Sequence, residues 1–249
     1  MMFLRGIRAI WQREMLTFLR EKPRIISAAI NPIFWLLTFG AGLGSTVSIE
    51  GINYQQYIFP GIIIQTILFS SIFYGAYLVW DRRIDLLKAI LVTPLSRSSI
   101  FFGKVISGIT FALIQSFIIL IFGFFININY TFTSFILVLL TITVSAAGLT
   151  ALGLTIGSFM TSPEGFQLIT TFVIFPLFFL SGALYPLDQL PAYLEALTAF
   201  NPLTYIVDLL RGLLIDLQYF GTNLNSLVMV GFAFVILFIG IKAFERMRS

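Results

Sequence analysis

Residues 57–80 read YIFPGIIIQTILFSSIFYGAYLVW, and residues 81–97 continue DRRIDLLKAILVTPLSR. The first block carries no charged side chain; the second opens on three. About 20 apolar residues, at the α-helical rise, cross the hydrocarbon of a bilayer. The pair therefore reads as a transmembrane helix that runs out into a charged loop at the membrane surface.

Five more apolar stretches flank this one, near residues 25–44, 100–126, 135–159, 166–184 and 226–243. Together they predict six spans. The composition agrees: 58% of the 249 residues are hydrophobic and only 10% charged, with a mean hydropathy of +0.98. A water-soluble domain needs about a quarter of its residues charged, so the solvent for this surface is lipid.

Charge placement tests the count. With six spans and an inner N-terminus, the inner segments hold Arg5, Arg8, Arg13, Arg20, Lys22, Arg24, Arg82, Arg83, Lys88, Arg97, Lys104, Lys242, Arg246 and Arg248, which is 14 of the 15 basic residues. Only Arg211 falls outside. Basic loops stay on the cytoplasmic side, so a multi-pass protein of the plasma membrane with both termini cytoplasmic is expected, with Ser98 and Ser249 inside and Asn53 and Asp188 outside. Lys104 and Lys242 lie near inner span ends, where their stems reach toward water. The net charge of +4 serves topology, and no nucleic-acid partner is expected.

Residues 1–24 are charged throughout, unlike a secretory leader. Phe3, Leu4, Ile7, Ile10, Trp11, Met15 and Phe18 recur at helical spacing with the arginines elsewhere. This predicts an amphipathic interface helix, lying in the headgroup region or packed on the rest of the protein. Gly40 with Gly44, and Gly153 with Gly157, allow close helix approach, between subunits or within one.

Cysteine and histidine are both absent, which excludes disulfides, Cys/His metal sites and His-based triads. No catalytic, metal or cofactor-binding residue is expected in the chain.

Two segments invite functional reading. In the inner loop (81–98), Ile84, Leu87 and Leu91 share one helical face, with Asp81, Arg82, Asp85 and Lys88 turned elsewhere. Pro94 stops this short helix at Thr93; Ser96, Ser98 and Ser99 offer caps for the next. Its apolar face suits lipid or a groove on a soluble partner. The second segment is Phe175-Pro-Leu-Phe-Phe-Leu-Ser-Gly-Ala-Leu-Tyr-Pro-Leu-Asp-Gln-Leu-Pro191. Pro176 and Ser181-Gly182 loosen the fifth span, and two helices follow, broken at Asn201-Pro202. They are too interrupted for a span and too apolar for a loop, which fits a re-entrant hairpin over 185–217 in the outer leaflet. Asp208 and Arg211, three apart, are placed to pair on one face.

These segments resemble the ABC-2 type permeases of ABC exporters, especially the drug-resistance and nodulation-type branch. The resemblance rests on Phe-Pro-Leu-Phe-Phe-Leu-Ser-Gly-Ala-Leu-Tyr-Pro, Leu-Pro, Asn-Pro-Leu-Thr-Tyr and Asp-Leu-Leu-Arg, on Glu164-Gly-Phe-Gln167, and on the inner-loop pattern from Trp80 to Gly103-Lys104. The chain departs at Arg83, where the family usually has Glu, and at Asp85, where Gly is common. It covers essentially the whole chain, a single domain over 1–249. What it implies is an all-α integral membrane fold of the type V exporter kind: six transmembrane helices, an N-terminal interface helix, and an outer re-entrant helical hairpin between spans 5 and 6.

The resemblance further implies a dimer of such subunits served by two ATPase subunits that bind ATP and Mg. Asp81, Arg82, Arg83, Asp85, Leu87, Leu91 and Pro94 would form the coupling element. Pro186, Pro191, Asn201, Pro202, Asp208 and Arg211 would form the outer gate. Independently, no Gly-xxxx-Gly-Lys-Ser/Thr phosphate loop occurs anywhere, so hydrolysis belongs to another polypeptide.

Asn31, Gln65 and Gln115 are the uncharged polar candidates for a substrate path, or for bonds between neighbouring helices. An apolar, aromatic-rich interior suits an amphipathic or lipid-like substrate better than a polysaccharide or ions. A secondary transporter or channel is the rival class, but such proteins place ionisable groups within their spans, and these spans hold almost none.

Overall fold

Helix α1, Met2–Arg20, opens the chain, and α2, Lys22–Trp35, follows it. The computed structural model describes residues 2–44, 47–49, 51–188 and 190–247. Expectations resting on Arg248 and Ser249, and on the side chains of Lys88 and Leu91, lie outside what is described. One turn beyond Pro32, α2 widens into a π-helical segment, Leu36–Ala41, and then into the short α3, Gly42–Gly44.

A two-stranded antiparallel ladder, β1 (Ser48–Ile49) with β2 (Ile52–Asn53), is the one departure from helix among the described elements. Ser48 faces Asn53 and Ile49 faces Ile52. The long elements are α4 (Tyr54–Arg83), α6 (Arg97–Phe125), α7 (Phe132–Phe159) and α11 (Thr222–Glu245), with α5 (Leu86–Val92) and α8 (Pro163–Phe179) between them. Helices α9 (Ala192–Phe200) and α10 (Pro202–Ile215) precede α11.

Polar residues set the starts of these apolar helices. Asn53 caps α4 through the Gln55 amide at 2.8 Å, and Ser96 caps α6 through that of Ser99 at 3.2 Å. Thr131 and Ser134 form a reciprocal capping box on α7, and Ser162 caps α8. Each side-chain oxygen takes up a backbone amide that the first turn leaves unbonded.

Four helices among the described residues are long and apolar enough to cross a membrane: α4, α6, α7 and α11. The first and fifth expected spans appear as shorter apolar helices, Ile30–Gly40 and Pro163–Phe179. The first lies within a helical run that continues through the π-helical turn from Lys22 to Gly44. Helix α8 stops at Phe179 because Gly182, at φ +69°, turns the chain where a Cβ would meet Leu187 at 2.6 Å.

Helix α4 sits at the centre, packed by α6, α7, α8 and α10. Glycines set its distance from α7: a Cβ on Gly75 would fall 2.0 Å from the Gly153 carbonyl oxygen, and one on Gly153 would fall 2.3 Å from that of Ile72. Gly157 in turn faces the Gly75 backbone. The Gly153–Gly157 pair thus serves packing within the subunit, and Gly40 and Gly44 likewise face Gln55 and Asn53 of the same chain. Buried apolar side chains form two clusters, one around α4, α7 and α10 and one joining α1, α5, α6 and the end of α11.

Candidate coupling element and outer cap

Helix α1 packs on α6 along a face that includes Ile10, Trp11, Glu14 and Phe18. Ile10 and Phe18 are buried, and Glu14, four residues from each, is buried between them. Its carboxylate accepts from Lys104 Nζ of α6 at 2.9 Å. The same ammonium donates to Asp81 Oδ2 of α4 at 2.9 Å, and Arg13 closes the cluster on Asp81 Oδ1 at 3.1 Å. Burial opposes the charge on Arg13, but Asp81 beside it more than offsets this and lifts its pKa above the ordinary guanidinium value.

This cluster corrects two expectations. Lys104 does not reach toward water: it is 0% exposed, because two carboxylates supply the solvation a snorkelling lysine seeks. Asp81 is not on the surface of a loop helix. Helix α4 continues to Arg83, so Asp81 and Arg82 lie in its last turn. Arg82 also faces inward, donating to the Ser158 carbonyl at 3.0 Å and to that of Met160. It thereby caps the end of α7, whose last carbonyls have no helical partner.

The loop proper begins at Asp85, whose φ of 58° breaks α4 from α5. Left-handed backbone favours Gly and tolerates Asp, so Asp85 suits the break. Arg83, the other departure, pairs with Glu164 at the start of α8 at 3.1 Å. Leu87 and Ile90 turn α5 inward, 2% and 8% exposed. Outward stand Ile84 and Val92, 62% and 86% exposed, with Pro94 exposed just beyond. The apolar face expected of Ile84, Leu87 and Leu91 is thus divided: Leu87 anchors the helix to the protein, and Ile84 faces out from the break before it.

At the opposite end of α8, the signature residues form a single device. The last carbonyls of a helix lack intrahelical donors, and at membrane depth water does not supply them. Asn201 donates to the Leu177 carbonyl at 2.7 Å while capping α10 through the Leu203 amide. Thr204 donates to Leu180 at 3.2 Å, and Tyr185 to Phe179. Arg211, buried, donates to Gly182 at 2.7 Å and lies 4.1 Å over the Tyr57 ring. Tyr54 of α4 donates to Leu184 at 3.0 Å.

Asp208 serves a different attachment. Its oxygens accept from the Tyr219 and Phe220 amides and from Asn225 of α11, each at 2.8 Å. The pairing expected between Asp208 and Arg211 is therefore replaced by two separate anchors, because buried backbone groups on either side compete for both side chains. Pro191 precedes α9 and Pro202 begins α10; Pro186 lines an open hollow with Tyr54, Tyr185 and Asp188. Of the polar path candidates, Gln65 and Gln115 are buried on α4 and α6, whereas Asn31 on α2 is exposed.

Glu14 and the inward role of Lys104 were not anticipated. The available signal was an acid standing in register with Ile10 and Phe18 on the buried stripe of an otherwise basic helix.

The described residues thus form a mainly helical membrane protein with a short surface helix, α5, between two long apolar helices and a capped break after α8. Residues 5–215 match the family described as ABC-2 type transporter, and the chain belongs to that family. It is 29% identical over 246 residues to a transport permease, ycf38, of Cyanophora paradoxa, covering 92% of this chain and 84% of the relative. It is 27% identical over 210 residues to the inner membrane transport permease YadH of Escherichia coli, covering 81% and 80%. It is 28% identical over 207 residues to nodulation protein J of Rhizobium leguminosarum bv. viciae, covering 82% and 80%. The chain is thus the permease subunit of an ABC-2 type transporter, a family whose architecture implies an ATPase partner.

Proposed function

We infer that this chain is the membrane half of an exporter that moves an amphipathic or lipid-like substrate outward. ATP and Mg bind a separate ABC ATPase, two copies of which serve two copies of this permease. In this reading α2 with its π-helical turn and α8 complete six spans, both termini are cytoplasmic, and α9 and α10 form a re-entrant gate in the outer leaflet. One relative is an inner membrane transport permease, which supports placement in the cytoplasmic membrane. The absence of a phosphate loop from the sequence supports hydrolysis on another chain.

The observation that carries the reading is α5: seven residues held inward by Leu87 and Ile90, with Ile84 and Val92 left bare. Apolar side chains at the edge of a short surface helix are anchors for a partner's groove. A carboxylate buried there unpaired costs several kcal/mol unless it takes up a proton. Ile84→Glu and Val92→Glu should therefore lose the ATPase that copurifies with the unaltered permease, at matched amounts of folded protein. Leu87→Glu should instead fail at folding. Full ATPase recovery and normal substrate-stimulated turnover in both surface variants would overturn the assignment.

A further inference from the structure

The basic end of α11 borders an open groove of about 400 Å3 against the last turn of α7. Phe159, Phe238, Ile239, Lys242, Ala243 and Arg246 line it. Phe159 is 68% exposed and Phe238 51%, so the floor is apolar and uncovered within the chain. Lys242 and Arg246, four residues apart, stand on one side of the helix. Lys242 Nζ lies 4.2 Å over the Phe238 ring, which joins the cationic rim to the apolar floor.

The neighbouring acid does not neutralise this rim. Glu245 takes its carboxylate away to the Ser98 hydroxyl at 3.0 Å. Arg97 donates to the Glu245 and Met247 carbonyls at 2.6 and 2.8 Å, which fixes the end of α11 and hence the geometry of the two cations. Val235, 51% exposed, continues the apolar face one turn deeper.

An occupant matched to this site is apolar along its length and anionic at one end. We propose that the groove binds an anionic glycerophospholipid, its phosphate between Lys242 and Arg246 and an acyl chain along Phe159, Phe238 and Ile239. A soluble anion leaves the apolar floor bare, and a zwitterionic lipid brings its own cation beside two others. The site goes beyond the export reading and does not depend on it.

Native mass spectrometry of the full chain in detergent tests the site whichever way the protein sits in the cell. Phosphatidylglycerol and phosphatidylcholine are added separately at equal concentration. The unaltered chain should retain phosphatidylglycerol preferentially. Each basic side chain near an anionic lipid contributes about fivefold, so the K242A/R246A double variant should lose roughly thirty-fold in apparent affinity. K242R/R246K should retain binding, and so should R5A/R8A, which removes two exposed charges from α1. Equal retention of both lipids, no retention of phosphatidylglycerol by the unaltered chain, undiminished binding by K242A/R246A, or an equal loss in R5A/R8A would each overturn the proposal.

Discussion

Replacing Lys104 by methionine removes one charge from a cluster in which that ammonium, 0% exposed, makes two bonds of 2.9 Å. The stem is conserved in length, so packing changes little and the effect is electrostatic. Glu14 and Asp81 are then left with Arg13 alone, bonded to each at 3.3 and 3.1 Å. Breaking a buried ion pair by deleting one partner costs about 3–5 kcal/mol, chiefly for the stranded charge. The origin of that cost makes a second expectation. Adding Glu14→Gln and Asp81→Asn to Lys104→Met removes the stranded carboxylates, so the triple variant should be more stable than the single one. Unfolding of the purified chain in mixed micelles by increasing SDS, followed by circular dichroism, reads both. A single variant within about 1 kcal/mol of the unaltered protein, below the range for a broken buried pair, would refute the reasoning. So would a triple variant less stable than the single one.

Gly153→Ala should sharply lower folded yield and thermal stability, since its methyl group would press on the Ile72 backbone at 2.3–2.9 Å, whereas Gly231→Ala, with nothing within 4 Å, should leave both unchanged or improved. Asp208→Ala strands the Tyr219, Phe220 and Asn225 donors, each at roughly 1–3 kcal/mol if left buried and unbonded; proteolysis between α10 and α11 should report the loosening. For orientation, an impermeant thiol reagent applied to intact cells should label Asp188→Cys and not Val92→Cys, both exposed positions on a cysteine-free background. The opposite pattern reverses the topology.

The long apolar helices and the break at Asn201-Pro202 were legible because lipid imposes its demands one residue at a time, and hydropathy and proline report them directly. The buried ion cluster was not, since Glu14, Asp81 and Lys104 come from three helices and meet only through packing: Lys104 is 90 residues from Glu14 and 23 from Asp81. Helical periodicity did show that Leu87 lies on an apolar face. What covers that face depends on where α5 docks, and the protein itself takes Leu87 while Ile84 remains free of it. The signature after α8 stood out as a pattern of polar residues in an apolar region. Its physical meaning lay with the carbonyls of Leu177, Phe179, Leu180 and Gly182, backbone groups that every sequence possesses and that only the end of α8 leaves waiting.

Helix α8 is held firmly at one end only: Asn201 and Thr204 take up the Leu177 and Leu180 carbonyls at its close, whereas Arg83 meets Glu164 at its start in an exposed pair. Its 17 residues span about 25 Å at the helical rise. A rod fixed at one end and loosely tethered at the other pivots about its fixed end. Swinging of the Glu164 end would then turn on the hydrogen bonds that Asn201 and Thr204 make at the far end. Pro176, which withdraws one amide from the last turn, lies beside that fixed end and is where the helix bends most easily.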